Sequence, residues 1–399
     1  MRLVLRLGEA AHRYGCSTPR VEECMALTAE RLGLRGAFFA QPTSLFASFG
    51  DPTEQRTVLV RFEPGVVDLG KRWELDALIE DLVAGRRSPG ELLDALEALE
   101  RAPPRFGQAA RAAAYVGASV SAARFFGAGP RDLAAAALCG LLVWGVDRLA
   151  SRSSAVARGM DMLAAALVSA AVVTLAALWG GIETYTVTIS GLIVLVPGLS
   201  LTTAISELAL RHLVAGTSRL MGALMTFLQL GFGVALGRIV ALALPPAAPP
   251  TGAHVTSFVT LVAALLLAPA SFAILLQSRA RDLGWVLFAS TLAYLGTRQG
   301  AVWMGPELGA FVGAFLLAVC ANLYARRFQR PSAVLLLPGL LMLVPGSLGF
   351  RSLSALMEQD VLGGVSTAIA VALVAISLVA GLFAASAIVR PRGLDTPGA

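Results

Sequence analysis

Two Pro-Gly pairs, Pro197-Gly198 and Pro345-Gly346, stand inside otherwise apolar runs, and polar side chains follow each of them. Ser200, Thr202 and Thr203 follow the first pair, and Ser347, Arg351 and Ser352 follow the second. Proline removes a backbone N–H and clashes with the preceding turn, while glycine adds backbone freedom, so each pair should break its helix. The freed N–H and C=O groups are tolerated inside a bilayer only where protein or a wet cavity satisfies them. A half-helix starting at Gly198 would aim the positive end of its dipole at a carboxylate, with hydroxyls beside it. One break alone reads as a proline kink with Ser/Thr back-bonding. A matched pair reads as a substrate site, built from Pro197, Gly198, Ser200, Thr202, Thr203, Pro345, Gly346, Ser347 and Arg351.

Ionisable residues in or near these runs are few: Asp161, Glu207, Arg219, Arg238, Glu307 and Arg351. Glu207 comes one to two turns after the Ser200–Thr203 stretch and is the first candidate for a proton-coupling carboxylate, since burial against an apolar wall raises proton affinity. Its competing role is an ion pair with Arg211, one turn on. Asp161 is the second coupling candidate, although it shares with Glu307 a position at a run end, where solvation is expected. Cys16, Cys24, Cys139 and Cys320 form no CxxC pair and read as reduced thiols. His12, Cys16 and Cys24 fit no usual zinc spacing and lack a fourth ligand, so no metal is expected. Nucleotide and phosphate motifs are absent, so no cofactor is expected and ATP-driven pumping is disfavoured.

The elements that must position these residues follow from the charge distribution. Of 399 residues, 56% are hydrophobic and 15% charged, against roughly 25% charged in an average soluble protein. Residues 1–107 hold 14 Lys/Arg and 16 Asp/Glu, whereas residues 108–399 hold 18 and 10. The first stretch has a soluble density of charge and the rest a membrane density. A soluble enzyme of this length, a disordered chain and a disulfide scaffold are thereby excluded. The net +6 gives no nucleic-acid signal, because the positive excess flanks apolar runs. No cleavable signal peptide is expected, as the first long apolar run begins after residue 107.

Ten apolar segments follow, at about 110–127, 133–147, 161–181, 186–205, 216–240, 255–277, 283–297, 305–325, 332–350 and 362–389. Most approach the roughly 20 residues needed to cross a bilayer. With the head inside, the inner loops carry Arg148, Arg152, Arg158, Arg211, Arg279, Arg281, Arg326, Arg327, Arg330, Arg390 and Arg392. The outer loops carry only Arg131, Arg298 and Arg351. This asymmetry places both termini in the cytoplasm. Leu195-Val196-Pro197-Gly198 recurs as Leu343-Val344-Pro345-Gly346, and the same gapless shift aligns Gly191 with Gly339, Gly216 with Gly364, Gly233 with Gly381 and Ala166 with Ala314. The repeat unit holds five crossings. Five is odd, so the second copy enters the bilayer from the opposite side. The fold expected is a polytopic α-helical membrane protein of ten transmembrane helices in two inverted five-helix repeats, 108–244 and 245–399, behind a small α+β cytoplasmic domain over 1–107.

In that head, periodicity predicts helices over 3–14 and from Ser17 or Thr18 to Gly33, strands over Ala37–Phe49 and Thr57–Leu69, then helices over about 71–84 and 89–101. His12, Tyr14, Ser17, Arg20 and Glu22 cluster at the first helix–helix corner. They read either as a polar site for regulation, gating or hydrolysis, or as a capped turn with an Arg–Glu pair and a half-buried histidine. The second reading is preferred, since no hydrolase motif accompanies them.

The run His12-Arg13-Tyr14-Gly15, Ser17 and Arg20-Val21-Glu22, then Gln41-Pro42-Thr43, then a head followed by ten spans with Pro197-Gly198, resembles the bacterial threonine/serine exporter family. The resemblance covers nearly the whole chain. It implies efflux of threonine and serine driven by the proton-motive force, across the bacterial inner membrane; split relatives in which the two halves are separate chains imply export of dicarboxylates such as succinate. Where the family often has an asparagine and then an aspartate after the Pro-Gly, this chain has Thr203 and Glu207. Arg211-His212 replaces a glycine–aspartate stretch, while Gly216 and Arg219 fit. These departures bear on the substrate more than on the transport class.

The leading expectation is therefore a secondary transporter, not an enzyme, exporting small polar amino acids with protons and the lipid bilayer as its other partners. A homo-oligomer is compatible with the sequence. The alternatives are a dicarboxylate exporter, a membrane-anchored enzyme with its active site in the head, and a dimerising sensor whose spans serve as anchor.

Overall fold

The computed structural model describes residues 1–51, 53–62, 65–243, 245, 257–343, 346–357 and 360–390, with backbone alone at 347, 353, 354, 356 and 357. The head opens with α1 (Arg2–Arg13) and α2 (Thr18–Arg31), joined through Gly15, whose φ of +86° is a backbone state that favours glycine. A three-stranded antiparallel sheet follows, β1 (Gly36–Gln41), β2 (Ser44–Phe49) and β3 (Arg56–Arg61), in the order β1-β2-β3. Two strands were expected here. The turn between Gln41 and Ser44 folds the first apolar run into a hairpin, with Gly36 opposite Phe49. Leu45, Ala47 and Phe49 face the core with Leu7, Met25 and Ile79, while Phe39, Phe46 and Leu59 stay on the exposed face. Helices α3 (Leu69–Val83) and α4 (Pro89–Arg101) complete the head, α4 starting in a Ser88/Glu91 capping box.

The apolar part contains α5 (Gln108–Phe125), α6 (Pro130–Ala150), the short α7 (Ser154–Arg158), α8 (Met160–Trp179), α9 (Thr184–Gly191), α10 (Gly198–Ala209) and α11 (Leu213–Arg238). Then come α12 (Phe258–Leu275), α13 (Leu283–Met304), α14 (Pro306–Phe328), α15 (Ala333–Leu343), α16 (Gly346–Met357) and α17 (Val361–Ile388). Among the described residues, seven helical stretches are long and apolar enough to cross a membrane: α6, α8, α11 with its extension to Ala243, α12, α14, Ala333–Ser352 and α17. The other three expected spans fall short for visible reasons. Helix α5 is diluted by Gln108, Arg111, Arg124 and small residues, α13 by Thr297, Arg298 and Gln299, and the 186–205 run is cut into two short helices, α9 and α10.

The packing of the first set of helices recurs in the second. Helix α8 packs on α11 as α14 does on α17; α6 on α8 and α9 as α13 on α14 and α15; α10 on α11 as α16 on α17. The glycines aligned by sequence serve these contacts. A Cβ at Gly233 would sit 2.8 Å from that of Ala165, and a Cβ at Gly381 would sit 3.0 Å from that of Ala314. Helices this close need a residue without a side chain. The two sets meet along α5 and α12 and, reciprocally, through α10 with α17 and α11 with α16.

The head is fastened to the second set at the α12–α13 loop. The Leu69 N–H donates to the Leu276 carbonyl at 2.9 Å, the Phe106 N–H to Gln277 Oε1 at 3.0 Å, and the Arg279 guanidinium lies 3.8 Å from the Trp73 ring centre.

Candidate functional site

Helix α9 ends against α6, where a Cβ at Gly191 would stand 2.6 Å from that of Cys139. The chain then passes through turns to Pro197 at the N-cap of α10, so the expected break at Pro197-Gly198 is present. Pro345 and the Ser347 side chain lie outside the described residues. Gly346 begins α16, and its missing side chain admits the first break: a Cβ there would run into the Val196 side chain and stand 3.8 Å from Gly198 Cα. The break at Pro197-Gly198 thus meets Gly346 of α16 across the junction between the two helix sets.

Beside that junction is a cavity of about 400 Å3 with walls from three sources. Ser200, Thr203, Ser206, Glu207 and Arg219 come from α10 and α11; Asn322, Ser332, Leu336, Leu340, Leu382 and Ser386 come from the second set; His12, Ser17, Arg20 and Arg72 come from the head. Residues 200, 203 and 207 share one face of α10 by helical spacing, which is why they line the space together. Thr202 is on another face, buried, and its hydroxyl donates back to the Gly198 carbonyl at 3.2 Å. Pro197, Gly198 and Gly346 shape the break without lining the cavity. Arg351 is exposed and outside it. Asp161 is also elsewhere, at the start of α8, where its side chain bonds that of Thr226.

Glu207 is 1% exposed. Its Oε2 accepts from Arg219 Nε at 2.9 Å, and its Oε1 accepts from the Thr18 backbone N–H at 3.1 Å. The expected partner Arg211 does not reach it. Helix α10 stops at Ala209, and Arg211 adopts a φ of +65° in the turn, so the guanidinium that meets Glu207 comes from the next helix.

The head corner divides its roles. His12 Nε2 donates to the Pro42 carbonyl at 2.7 Å, and the ring packs 4.5 Å from that of Phe62. Burial lowers the His12 pKa, so the ring is neutral near pH 7, and Nδ1 is left as a buried acceptor with no partner among the described residues. Arg20 donates to Asp76 and to Glu23, each at 2.8 Å, and not to Glu22. Glu22 instead accepts the Ala40 N–H at 2.8 Å, and burial raises its pKa. Tyr14 is buried with its pKa pushed up to about 12, chiefly by that burial, and Lys71 stands 5.9 Å from its ring centre. Ser17 is the N-cap of α2 but accepts no capping hydrogen bond. This corner thus braces α1, α2 and the sheet while turning one edge toward Glu207.

Sequence reasoning passed over Ser206, Arg72, Ser386 and Asn322. Asn322 carried a signal: it is the only asparagine in the chain, set within an apolar run. It is 3% exposed, and its Nδ2 donates to the Val389 carbonyl at 2.8 Å, which leaves its second N–H and the amide oxygen to offer to the cavity.

Comparison with known proteins bears on the whole chain. Residues 2–240 match a family profile for a threonine/serine exporter, and residues 261–388 match a second, described as "Threonine/Serine exporter, ThrE". The chain is similar to "Pheromone-regulated membrane protein 10" of Saccharomyces cerevisiae, 27% identical over 436 residues covering 100% of this chain and 55% of the relative. The protein of that name in Candida albicans is 26% identical over 439 residues, covering 100% and 39%. That in Pichia sorbitophila is 25% identical over 374 residues, covering 90% and 37%. The chain therefore spans between 37% and 55% of the length of these relatives. No solved structure matches it.

Proposed function

The chain belongs to the threonine/serine exporter family, and we propose that it exports small polar amino acids, threonine and serine among them, from the cytoplasm through the cavity beside Glu207. The observation that carries this reading is a carboxylate 1% exposed on the wall of a 400 Å3 cavity, next to a helix interrupted at Pro197-Gly198. The first-turn N–H groups of a helix have no partner within it, so Leu199 and Ser200 offer donors and a positive dipole end to the solute's carboxylate. Ser200 and Thr203 add hydroxyls, and Glu207 gives its charge to the solute's ammonium.

In this reading residues 108–244 and 245–399 are inverted halves that expose the cavity alternately to the two sides of the membrane. The recurrence of helix contacts between the halves supports it, and the arginine asymmetry favours a cytoplasmic head with cytoplasmic termini. Coupling follows from Glu207. A proton on this carboxylate removes its attraction to Arg219 and weakens its hold on the Thr18 N–H, so proton and solute compete for one group. In inverted vesicles, a proton gradient should drive uptake of labelled threonine or serine; absence of any gradient-dependent flux of amino acids or dicarboxylates removes the reading.

A second reading is export of a dicarboxylate. It is favoured by the guanidinium groups of Arg20, Arg72 and Arg219 around the cavity. Stronger competition by succinate than by serine for the same flux would select it.

A further inference from the structure

The wall supplied by the second half changes chemistry with depth. Near the head it is polar, with Asn322 on α14, Ser332 just before α15 and Ser386 on α17. One turn away, about 5.4 Å along each helix, the residues in line are Ala318, Leu336 and Leu382, with Leu340 a turn deeper and Phe383 beside them. The facing wall shows no such separation, since α10 intersperses Ser200, Thr203, Ser206 and Glu207 with Leu199 and Leu210 along its length. The inner part of the cavity therefore has hydroxyls and helix N–H groups on the α10 side, with Leu199 among them, and only apolar side chains on the other.

That asymmetry suits a solute that is charged at one end and apolar at the other. Serine, placed with its ammonium and carboxylate on α10, would turn a hydroxyl toward Leu336, Leu340 and Leu382, where none of the side chains can hydrogen-bond, and such burial is unfavourable. A cavity of 400 Å3 also falls in the range of roughly 300–1,000 Å3 that holds drug-sized ligands, and serine would leave much of it to water.

We infer that Ala318, Leu336, Leu340 and Leu382 form a side-chain pocket, and that the cavity takes α-amino acids with aliphatic side chains, of leucine size, in preference to serine, with threonine between them. The inference rests on the transport reading above and moves the preferred solute from small polar to aliphatic amino acids. Each buried methylene group strengthens binding roughly fourfold, so leucine should outbind serine by at least roughly tenfold.

The test uses the full chain in liposomes, with counterflow of labelled threonine and of labelled leucine, each competed by unlabelled serine, threonine, valine, leucine, phenylalanine and succinate. The expected order of half-inhibiting concentration is leucine and valine below threonine below serine. Ala318→Leu, which fills the pocket, should lower the leucine-to-serine affinity ratio at least roughly fivefold, and Leu340→Ala should shift preference toward phenylalanine. Serine or succinate competing as well as leucine in the unmodified chain overturns the inference while leaving transport in place. Absence of all counterflow overturns the transport reading, and the inference with it. The competition in the unmodified chain decides the matter even where a variant fails to insert.

Discussion

The backbone N–H of Thr18 donates to Glu207 Oε1 at 3.1 Å, joining the first turn of α2 in the head to the end of α10, 189 residues away in sequence. A helix N-terminus favours a negative charge, and this one meets a carboxylate already held by Arg219. The contact makes the head part of the cavity wall and ties the state of Glu207 to the position of the head.

Removing the charge tests the coupling role directly. Glu207→Gln keeps the size of the side chain and an acceptor for Thr18 but ends the ion pair with Arg219. Gradient-driven uptake should fall at least tenfold, and the half-saturating threonine concentration in counterflow should rise, because Glu207 also meets the solute's ammonium. Glu207→Ala, which also strands the Arg219 guanidinium, should cost stability on the order of 2–4 kcal/mol, read as a lower Tm in detergent. Asp161→Asn, by contrast, should leave gradient-driven flux within about twofold, because Asp161 is bonded to Thr226 away from the cavity.

Thr18→Pro tests the head contact alone. Proline is tolerated in the first turn of a helix, so α2 should persist while the N–H donated to Glu207 is lost. A hydrogen bond to a charged group contributes about 1.5–3 kcal/mol. Hydrogen exchange should rise in residues 12–20 and at the end of α10, with the sheet unchanged. Unaltered exchange in both would show that the contact holds nothing in place.

The meeting of the first break with Gly346 is a packing claim. Gly346→Ala places a methyl group against Val196, so it should lower transport at least tenfold, whereas adding Val196→Ala to the same chain should restore most of the loss. Additive losses in the double variant would mean that the two positions do not touch.

A pH dependence follows from His12. Its folded pKa is below the ordinary 6.5, so the unfolded head binds a proton that the folded head refuses. Stability is then fully present above about 6.5 and declines as pH falls from there toward the folded value. Glu22 has the opposite sign: its raised pKa favours the folded state in acid, and that gain is lost as pH climbs from its ordinary 4.5 toward the folded value. On acidification from pH 7 the two effects oppose one another, so His12→Gln should make Tm fall less, or rise, whereas Glu22→Gln should make it fall more.

How much of this was legible in the sequence depends on the kind of signal. Proline and glycine act on their own backbone, so the break at Pro197-Gly198 could be read without knowing any neighbour. The glycine alignment also carried through, because Gly233 and Gly381 each let a helix approach at matching places. The sheet was misread at Gln41-Pro42-Thr43, a turn short enough to leave one apolar run looking continuous. Arg219 was hidden for a different reason. Spacing along α10 favoured Arg211, but that rule fails where the helix ends and a left-handed residue turns the chain. The Thr18 donor was invisible, since a main-chain N–H is the same in every residue but proline, and only tertiary structure says where it points.

The head is moored on both sides of the junction. Leu69 and Phe106 bind it to the α12–α13 loop, while Thr18 binds it to α10 and β1 packs on α11. If the halves tilt against one another as proposed, one of the two sides must give, and the side facing α10 ends on a single carboxylate. The head would then travel with the second half as a shutter does with its frame, and the first half would slide beneath it.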